Sequence, residues 1–380
     1  MFLAPLSEIY GRQPIYTTAI FLFSILQIPT ALSPTFSGVA ICKFLAGCFA
    51  GLPLSNVGAS AADLFPTSQT AWAIVLFSFT SQAFGPDLGP IIGSSFYVGT
   101  GSEHWLYWML LILGLLTFGW SLTWGETLHD KLYERRTGIQ NNKSATSAIG
   151  TELFRAFRML FTEPIVTALA LTTTYLFGLI FIYLEGFPLV YEDEYDFNPV
   201  QEGATFLPGI LGGLIALATQ PLQNYMYTRS ARYTHDGRPR PEARLYTACF
   251  SVWCLPASIF WFAFTSTHPQ TSFHLPMWSG ILFGYAEVAT YAGIWQYVTD
   301  AYGESAGSAL AACNLPANGI SAGLAHLSVI QFENEGVKWA LATLGFISLG
   351  FLLVPPLIIW KGPALRKRSK FASSSSPADD

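Results

Sequence analysis

Long stretches without a charged residue limit the folds that this chain can adopt. Thirty consecutive residues between Arg12 and Lys43 carry no charge, and 42 residues from Leu245 to Ala286 carry none either. About twenty apolar residues in a helix cross the hydrocarbon core of a bilayer. Only 11% of the 380 residues are charged and 51% are hydrophobic, which is unlike a water-soluble domain. The sequence therefore predicts an all-α polytopic membrane protein.

Turn signals divide these stretches into about ten predicted transmembrane helices. Pro34 ends the first stretch, and Pro269 lies within a turn that divides the second. Polar segments separate the other helices. After a first span that follows Arg12, the predicted spans are 35–62, 71–98, 104–125, 164–188, 203–228, 245–265, 275–299, 305–331 and 339–360.

A polar segment at 126–163 separates the spans of 1–125 from six spans at 164–362. The segment is basic, and apolar residues recur in it with a helical period over 151–161. This pattern is typical of an amphipathic helix on a membrane surface. We therefore predict two helical bundles joined by a cytoplasmic linker that carries an amphipathic helix. Basic residues and serines at 363–380 predict a disordered cytoplasmic tail.

The distribution of lysine and arginine predicts the orientation of the chain. All of the 19 basic residues except Lys43 and Lys338 fall at Arg12, in the linker, in the 229–244 loop or near the C-terminus. In the predicted order of ten spans, an even number of spans separates each of these segments from the next, so all of them lie on the same side of the membrane. Because positive residues mark the cytoplasmic side, we predict that both termini are cytoplasmic.

Residues Ala4 to Pro14 read APLSEIYGRQP, with an acidic residue, a glycine and an arginine at fixed offsets. This segment resembles the signature loop between the second and third helices of the major facilitator superfamily. The resemblance implies that Glu8, Gly11 and Arg12 bond to neighbouring helix ends and latch the cytoplasmic gate. Alanine replaces the family's usual glycine at the start, and Gln13 replaces a common second basic residue. An ordinary cytoplasmic turn is the alternative interpretation.

A second motif, GPDLGPIIG at 85–93, lies inside a predicted span. Its glycine and proline residues repeat at helical spacing, and they are Gly85, Pro86, Gly89, Pro90 and Gly93. Proline removes a backbone hydrogen bond and glycine allows close helix approach, so this face is expected to pack tightly and to bend at one place. The motif resembles the fifth-helix motif of the drug:proton antiporters of the superfamily. A kinked packing helix is the alternative.

Further segments resemble the fungal-type drug:proton antiporter family. They are PLSNVGASAADLFP at 53–66, TEPIV at 162–166, LEGFPLVYEDEYDF at 184–197, PEARL at 241–245 and QYVTDAYGESAGSALAA at 296–312. Their order implies helices three to twelve of a twelve-helix major facilitator fold that lacks helix 1 and most of helix 2. We therefore expect a chain truncated at its N-terminus with an incomplete first bundle. A truncated, transport-incompetent family member is an alternative function.

Ionisable residues inside the predicted spans are candidate binding sites, because a charge at the bilayer centre normally faces a partner or water. Glu185, Glu287 and Asp87 are the candidate proton-binding or substrate-binding residues, and a hydrogen-bonded packing role is the alternative for each. Lys43 precedes Phe44 where the family usually has arginine, which implies a part in proton coupling. Lysine cannot form the bidentate pair of arginine, and snorkelling of its side chain to the interface is the alternative.

Motifs for hydrolysis, zinc proteolysis, nucleotide binding and metal binding are not found in the sequence. The net charge of −5 without a basic patch argues against a nucleic-acid partner. We therefore expect no enzyme activity, no cofactor and no metal.

The sequence as a whole predicts a proton-coupled secondary transporter that exports small amphipathic organic molecules by alternating access. Its partners are this substrate, protons and the lipid bilayer, and a monomer is expected. The plasma membrane is the expected location, with the vacuolar membrane as the alternative. A membrane receptor or scaffold that uses the same fold only for binding is the second alternative function.

Overall fold

The computed structural model describes residues 3–137, 145–233, 237, 239–266, 272–369 and 371–372. Every regular element within these ranges is helical. Helices α1 to α10 are Leu3–Tyr10, Arg12–Ile25, Gln27–Leu32, Phe36–Ala50, Leu52–Leu64, Thr67–Phe79, Gly85–Thr100, His104–Ser121, His129–Thr137 and Ala145–Thr162. Helices α11 to α18 are Pro164–Tyr195, Pro199–Ala204, Leu207–Ser230, Tyr246–Thr265, His274–Met277, Ser279–Tyr302, Ala306–Phe351 and Val354–Arg368. A π-helical turn at Thr80–Phe84 joins α6 to α7, and short 3-10 turns lie at Ala231–Tyr233, Pro241–Leu245 and Gly303–Ser305.

All ten predicted spans coincide with helical stretches, so the predicted all-α architecture is confirmed. In the described part of the chain, six helical stretches are long and apolar enough to cross a membrane by length and composition alone. They are Arg12–Leu32, His104–Ser121, Pro164–Glu192, Pro199–Ser230, Pro241–Thr265 and Ala306–Arg368. The last stretch contains two predicted spans, because Gly336 has a φ of 73° and interrupts the helix between them.

Local sequence signals fix the ends of several helices. The Thr35 hydroxyl accepts a hydrogen bond from Gly38 N at 3.3 Å and caps α4. Asn198 and Gln201 form a reciprocal capping box at the start of α12. Helix α11 ends at Tyr195, and the next residue, Asp196, caps it in the left-handed conformation with a φ of 52°.

The helices form two compact units. The first unit comprises Met1–Thr67 and Ser95–Phe157, and the second comprises Ser68–Ser94 and Arg158–Asp380. The predicted boundaries instead assign 68–94 to the first bundle. The second unit therefore also contains most of the predicted span 71–98, which comprises α6, the π turn and the first part of α7.

Residues 68–94 pack within the second unit because α6 and the π turn lie against α13 and α16. A buried apolar cluster joins these helices, and it consists of Val75, Phe79, Ala83, Ala216, Tyr285, Val288, Ala289 and Ala292. Glycines of α13 permit the close approach. A Cβ atom at Gly213 would lie 2.7 Å from the Phe79 ring, and one at Gly212 would lie 2.6 Å from the Tyr285 backbone nitrogen.

The C-terminal helix is longer than predicted. Helix α18 continues to Arg368, although residues from 363 onward were expected to be disordered. The Arg366 guanidinium donates two hydrogen bonds to the Glu242 carboxylate, at 2.7 and 3.0 Å, and this pair holds the last turn of the helix. Residues 373–380 of the predicted tail lie outside the described residues.

The linker contains α9 and α10, and residues 138–144 between them lie outside the described residues. Helix α10 includes the predicted amphipathic segment. Phe154, Phe157 and Phe161 are exposed by 70%, 48% and 80%, while Met159 is buried. An exposed row of aromatic residues is typical of a helix that lies in a membrane interface, and the location of α10 on the membrane stays a prediction.

Substitution of Gly212 by alanine tests the packing of α13 on α16. The added Cβ would meet the Ile281 carbonyl oxygen and the Tyr285 nitrogen, which are backbone atoms and cannot rotate away. We expect the free energy of unfolding in detergent to fall by about 1–3 kcal/mol, the usual effect of overpacking. Tryptophan fluorescence during denaturation measures this change. Gly319→Ala on α17 is the matched control, because its Cβ would meet no described atom within 4 Å; equal losses in both variants would contradict the packing.

Candidate functional site

A buried arginine at the start of α2 organises one end of the first unit. Arg12 is 5% exposed. Its Nε donates to Asp63 Oδ2 at 2.9 Å, and its Nη1 donates to Asn56 Oδ1 at 2.5 Å and to Ser7 Oγ at 3.2 Å. These partners satisfy a guanidinium that would be unfavourable alone among apolar helices. Together with Glu126, these four residues form what we term the Arg12 cluster.

Gly11 allows the Glu126 carboxylate to reach the first turn of α2. Its φ of 106° is a conformation that favours glycine, and a Cβ there would collide with the Glu126 carboxylate. Glu126 Oε1 accepts a hydrogen bond from Arg12 N at 2.9 Å, which places a negative charge at a helix N-terminus. The structure thus places both Gly11 and Arg12 against Glu126. The Glu8 side chain lies outside the described residues, although its backbone belongs to α1.

A second buried arginine has the same kind of environment in the second unit. Arg244 is 2% exposed and donates from Nε to Asp300 Oδ2 at 2.7 Å. Its guanidinium lies 3.5 Å from the centroid of the Tyr227 ring, at cation–π distance. The adjacent Glu242 forms the bidentate pair with Arg366. We term these five residues the Arg244 cluster.

The two clusters share a sequence signature that the sequence analysis missed. Arg12 and Arg244 each lie at or just before the start of an apolar helix, and each pairs with an aspartate near the end of a helix further along the chain. The separations are 51 residues to Asp63 and 56 residues to Asp300. The segment PEARL was noted only as a family resemblance. The similar spacing from an arginine to an aspartate in both halves is the signal that predicts the second cluster.

Asp87 lies in the first turn of α7 and contacts the glycine-rich part of α13. A Cβ atom at Gly209 would lie 2.8 Å from the Asp87 carboxyl carbon, so this position of α13 admits the carboxylate only because it is glycine. Asp87 is partly buried. Gly209 in turn lies against Gly284, which is three residues before Glu287 on α16. The structure therefore brings these two predicted site residues into one region of the second unit.

Glu287 is the most deeply buried of the predicted site residues. Its side chain is 0% exposed, and neither carboxyl oxygen has a hydrogen-bond partner among the described residues. A buried carboxyl group without a hydrogen bond is unfavourable, and such groups normally bind water, an ion or a ligand. A transport-site role for Glu287 stays a prediction, and the buried carboxyl group is the observation that favours it.

Glu185 lies on the exposed face of α11, in contrast to Glu287. Phe181 and Leu189, one turn before and after it, are each 37% exposed on the same face. Lys43 is also exposed, and its ammonium lies 4.5 Å from the centroid of the Tyr107 ring. The structure thus places Glu185 on the surface of the second unit and Lys43 on that of the first unit.

The motif at 85–93 is helical, but its glycines do not all pack as expected. At its start the π-helical turn leads into Gly85, where a Cβ would lie 3.1 Å from Thr80 O. At Gly89 and Gly93, a Cβ would meet no described atom within 4 Å. The close contact lies on the partner side instead, because a Cβ at Gly203 would lie within 2.7 Å of the Ile91 backbone, beside Pro90.

A metal site is not evident in the described part of the chain, where no group of three or more histidine, cysteine, aspartate or glutamate side chains could hold an ion. The long apolar helices and the buried ion pairs at helix ends are typical of an α-helical membrane protein.

Comparisons with known proteins agree with this class. The Major Facilitator Superfamily model matches residues 1–326. An uncharacterized transporter of Schizosaccharomyces pombe is 36% identical over 385 residues, which cover 98% of this chain and 70% of that protein. The cycloheximide resistance protein of Candida maltosa is 28% identical over 402 residues, covering 98% and 72%. The crystal structure of the human organic anion transporter MFSD10 (TETRAN) matches with a TM-score of 0.63 at 16% identity, covering 93% of this chain and 79% of that chain.

The chain belongs to the Major Facilitator Superfamily. It is a multi-pass membrane transporter, and the similarity to MFSD10 shows a shared fold. The predicted resemblance to this superfamily is confirmed.

Substitution of Arg12 by alanine tests the Arg12 cluster. The change leaves Asp63 and Asn56 without their buried partner, so we expect the free energy of unfolding to fall by about 3–5 kcal/mol. Removal of the stranded carboxylate in the double variant Arg12→Ala/Asp63→Ala is expected to restore part of the loss. Chemical denaturation in detergent measures all three proteins. Exposed Arg229 provides the control, and an Arg12→Ala effect no larger than that of Arg229→Ala would refute the cluster's structural role.

Proposed function

We propose that this transporter exports small amphipathic organic molecules in exchange for protons, by alternating access. The observation that carries the proposal is the carboxyl group of Glu287, which is fully buried and has no described hydrogen-bond partner. A carboxyl group in such a place can bind a proton in one conformation and release it in another. Asp87 supports this role, because it lies against Gly209, which itself packs on Gly284 in the same helix as Glu287.

Competition between the proton and the substrate provides the coupling. If both bind the same conformation equally well, the proton gradient leaks without moving the substrate. We infer that binding of an amphipathic molecule favours release of the proton from Glu287, from Asp87 or from both. The apolar part of the molecule would be recognised through buried area, which imposes little chemical selectivity.

Glu185 and Lys43 have supporting roles in this proposal. Glu185 stands between the exposed side chains of Phe181 and Leu189, and an acidic group on an apolar face suits an amphipathic molecule with a positive charge. Lys43 carries a charge near the Tyr107 ring without a described carboxylate partner. It is therefore proposed to respond to the protonation state of the transport site.

The Arg12 cluster is proposed to stabilise the closed state of the cytoplasmic gate, together with Glu8. The concentration of basic residues in the linker and near the C-terminus supports cytoplasmic termini and a cytoplasmic position for this cluster. Export, rather than uptake, is supported by the resemblance of the 85–93 motif to antiporters and by the relative named a cycloheximide resistance protein. The plasma membrane is the proposed location.

Efflux from proteoliposomes tests the proposal. A fluorescent amphipathic cation is loaded, a pH gradient is imposed, and the efflux rate is compared with that at equal pH. We expect the gradient to accelerate efflux by roughly tenfold or more, within the usual range of coupling between two ligands. In Glu287→Gln, the rates with and without the gradient should become equal, because the amide cannot exchange a proton.

The exposed carboxylate of Glu333 provides the matched control. Glu333→Gln makes the same chemical change on α17 and should leave the acceleration intact. Equal efflux rates with and without the gradient in the unmodified protein would reject antiport. Saturable binding of the amphipath without any efflux would favour a receptor instead.

A further inference from the structure

Basic and aromatic side chains lie together on the surface where α10 meets the end of α18. Arg158, Phe161, Lys367 and Arg368 are exposed, and Phe371 is partly exposed. All five residues belong to the second unit, and we term them the basic aromatic patch. The proposed transport mechanism gives none of their side chains a role.

Arg158 lies within the row of exposed aromatic residues on α10. Phe154 and Phe161 stand one helical turn before and after it, and they are exposed by 70% and 80%. Such a row is typical of a helix that enters a membrane interface. A guanidinium in the same row enters the interface together with the rings, and anionic headgroups there can provide its counter-charge.

The exposed face of α18 changes from apolar to basic along the helix. Leu357 and Trp360 are exposed by 45% and 74%, and they are followed on this face by exposed Lys361, Lys367 and Arg368. Tryptophan and basic residues are enriched where a membrane helix passes from the hydrocarbon into the headgroup region. This order therefore indicates that Lys367 and Arg368 lie on the headgroup side of Trp360.

A turn after α18 joins its basic end to Arg158. Ser369 N donates a hydrogen bond to Arg366 O at 3.0 Å. Ser369 Oγ accepts hydrogen bonds from the backbone nitrogens of Phe371 and Ala372, at 3.1 and 2.9 Å. The turn places the centroid of the Phe371 ring 5.7 Å from the Arg158 guanidinium, within cation–π distance. The basic residues of α10 and α18 are thus parts of one surface.

The charges of the patch lack a counter-charge within the described part of the chain. No described carboxylate forms an ion pair with Arg158, Lys367 or Arg368, whereas the neighbouring Arg366 pairs with Glu242. Three exposed positive charges beside exposed aromatic rings are complementary to a molecule that has an acidic headgroup and an apolar part.

We propose that the basic aromatic patch binds one anionic phospholipid. Arg158, Lys367 and Arg368 bind its headgroup, since arginine donates hydrogen bonds to phosphate in a fixed geometry and lysine adds a compact charge. The Phe161 ring lies against the upper part of the acyl chains. Phe371 is a positioning residue, because its ring holds the Arg158 guanidinium beside the end of α18. The proposal requires neither a particular solute nor proton coupling.

A lipid at this place connects two parts of the chain that lie far apart in the sequence. Its headgroup bridges α10 and the end of α18, and thereby ties the linker and the C-terminal helix to one leaflet. Anionic lipids are concentrated in the cytoplasmic leaflet of cell membranes, which agrees with the cytoplasmic location that the sequence predicts for both segments.

Native mass spectrometry of the full chain tests the proposal. The protein is purified in detergent, stripped of endogenous lipid and titrated with dioleoyl phosphatidylserine. A parallel titration uses dioleoyl phosphatidylcholine, which has the same acyl chains and no net charge. The fraction of protein that carries one lipid gives each dissociation constant. We expect phosphatidylserine to bind at least about tenfold more tightly, because several basic side chains attract its net charge.

Substitutions by glutamine remove the charges of the patch and keep polar side chains. In Arg158→Gln and in Lys367→Gln/Arg368→Gln, the affinity for phosphatidylserine should fall by about fivefold for each charge removed, the usual contribution of one basic residue near an anionic surface. The affinity for phosphatidylcholine should stay unchanged. Arg229→Gln is the matched control, because Arg229 is an exposed basic residue at the end of α13, outside the patch, and its loss should change neither affinity.

The positioning role of Phe371 has its own test. Phe371→Leu removes the cation–π contact with Arg158 and keeps an apolar side chain, so it should weaken the binding of phosphatidylserine but not of phosphatidylcholine. Phe371→Trp keeps an aromatic ring and should retain the original affinity. Equal affinities of the leucine and tryptophan variants would contradict this role.

The substituted basic residues are exposed, so their variants should fold, and thermal unfolding identifies those that do. Equal affinities of the unmodified protein for the two lipids would overturn the proposal. So would an unchanged affinity for phosphatidylserine in both glutamine variants, or an equal loss in Arg229→Gln. Displacement of phosphatidylserine by millimolar inorganic phosphate would also overturn it, because the patch would then bind the anion and not the lipid. Efflux that ignores the pH gradient would reject the proposed transport mechanism and leave these binding results unaffected.

Discussion

Every charge buried among these helices must find a counter-charge or a hydrogen bond, because the apolar surroundings supply almost none. Arg12 and Arg244 meet this requirement in the same way, through an aspartate that arrives from the end of another helix. The pairs fix which helix ends meet, so they specify the packing of each unit as well as stabilise it. Among the described residues Glu287 differs, since it is buried without a described hydrogen-bond partner, and this difference is why we propose it as the proton-binding residue.

The helices could be predicted from the sequence because a bilayer leaves a chain few alternatives. Backbone groups in hydrocarbon must bond within a helix, so an uncharged stretch of sufficient length has one solution. The packing partners could not be predicted in this way. No sequence pattern singles out Phe79 and Ala83, and the structure shows that they pack against the glycines of α13.

The candidate site was predictable where one short segment carries its own chemistry. Gly11 and Arg12 are examples, since the resemblance of residues 4–14 to a family signature loop identified both, and the structure places both against Glu126. The role of Arg244 depends on an aspartate 56 residues away, which no local pattern reveals. The motif at 85–93 likewise identifies only one side of a contact. It indicates where a backbone approaches closely, but Gly203 and Gly209 on the other side supply the space.

The path of the chain between the two units limits how this protein can be divided. The chain passes from one unit to the other after residues 67, 94 and 157, so the units are interleaved rather than consecutive. A cut in the linker would leave the α6 and π-turn segment on a fragment without α13 and α16, and its apolar face would have lost the surface that covers it. Splitting the gene at the linker would therefore separate two polypeptides that must associate to cover this apolar face. The two halves of the chain are thus expected to remain on one polypeptide.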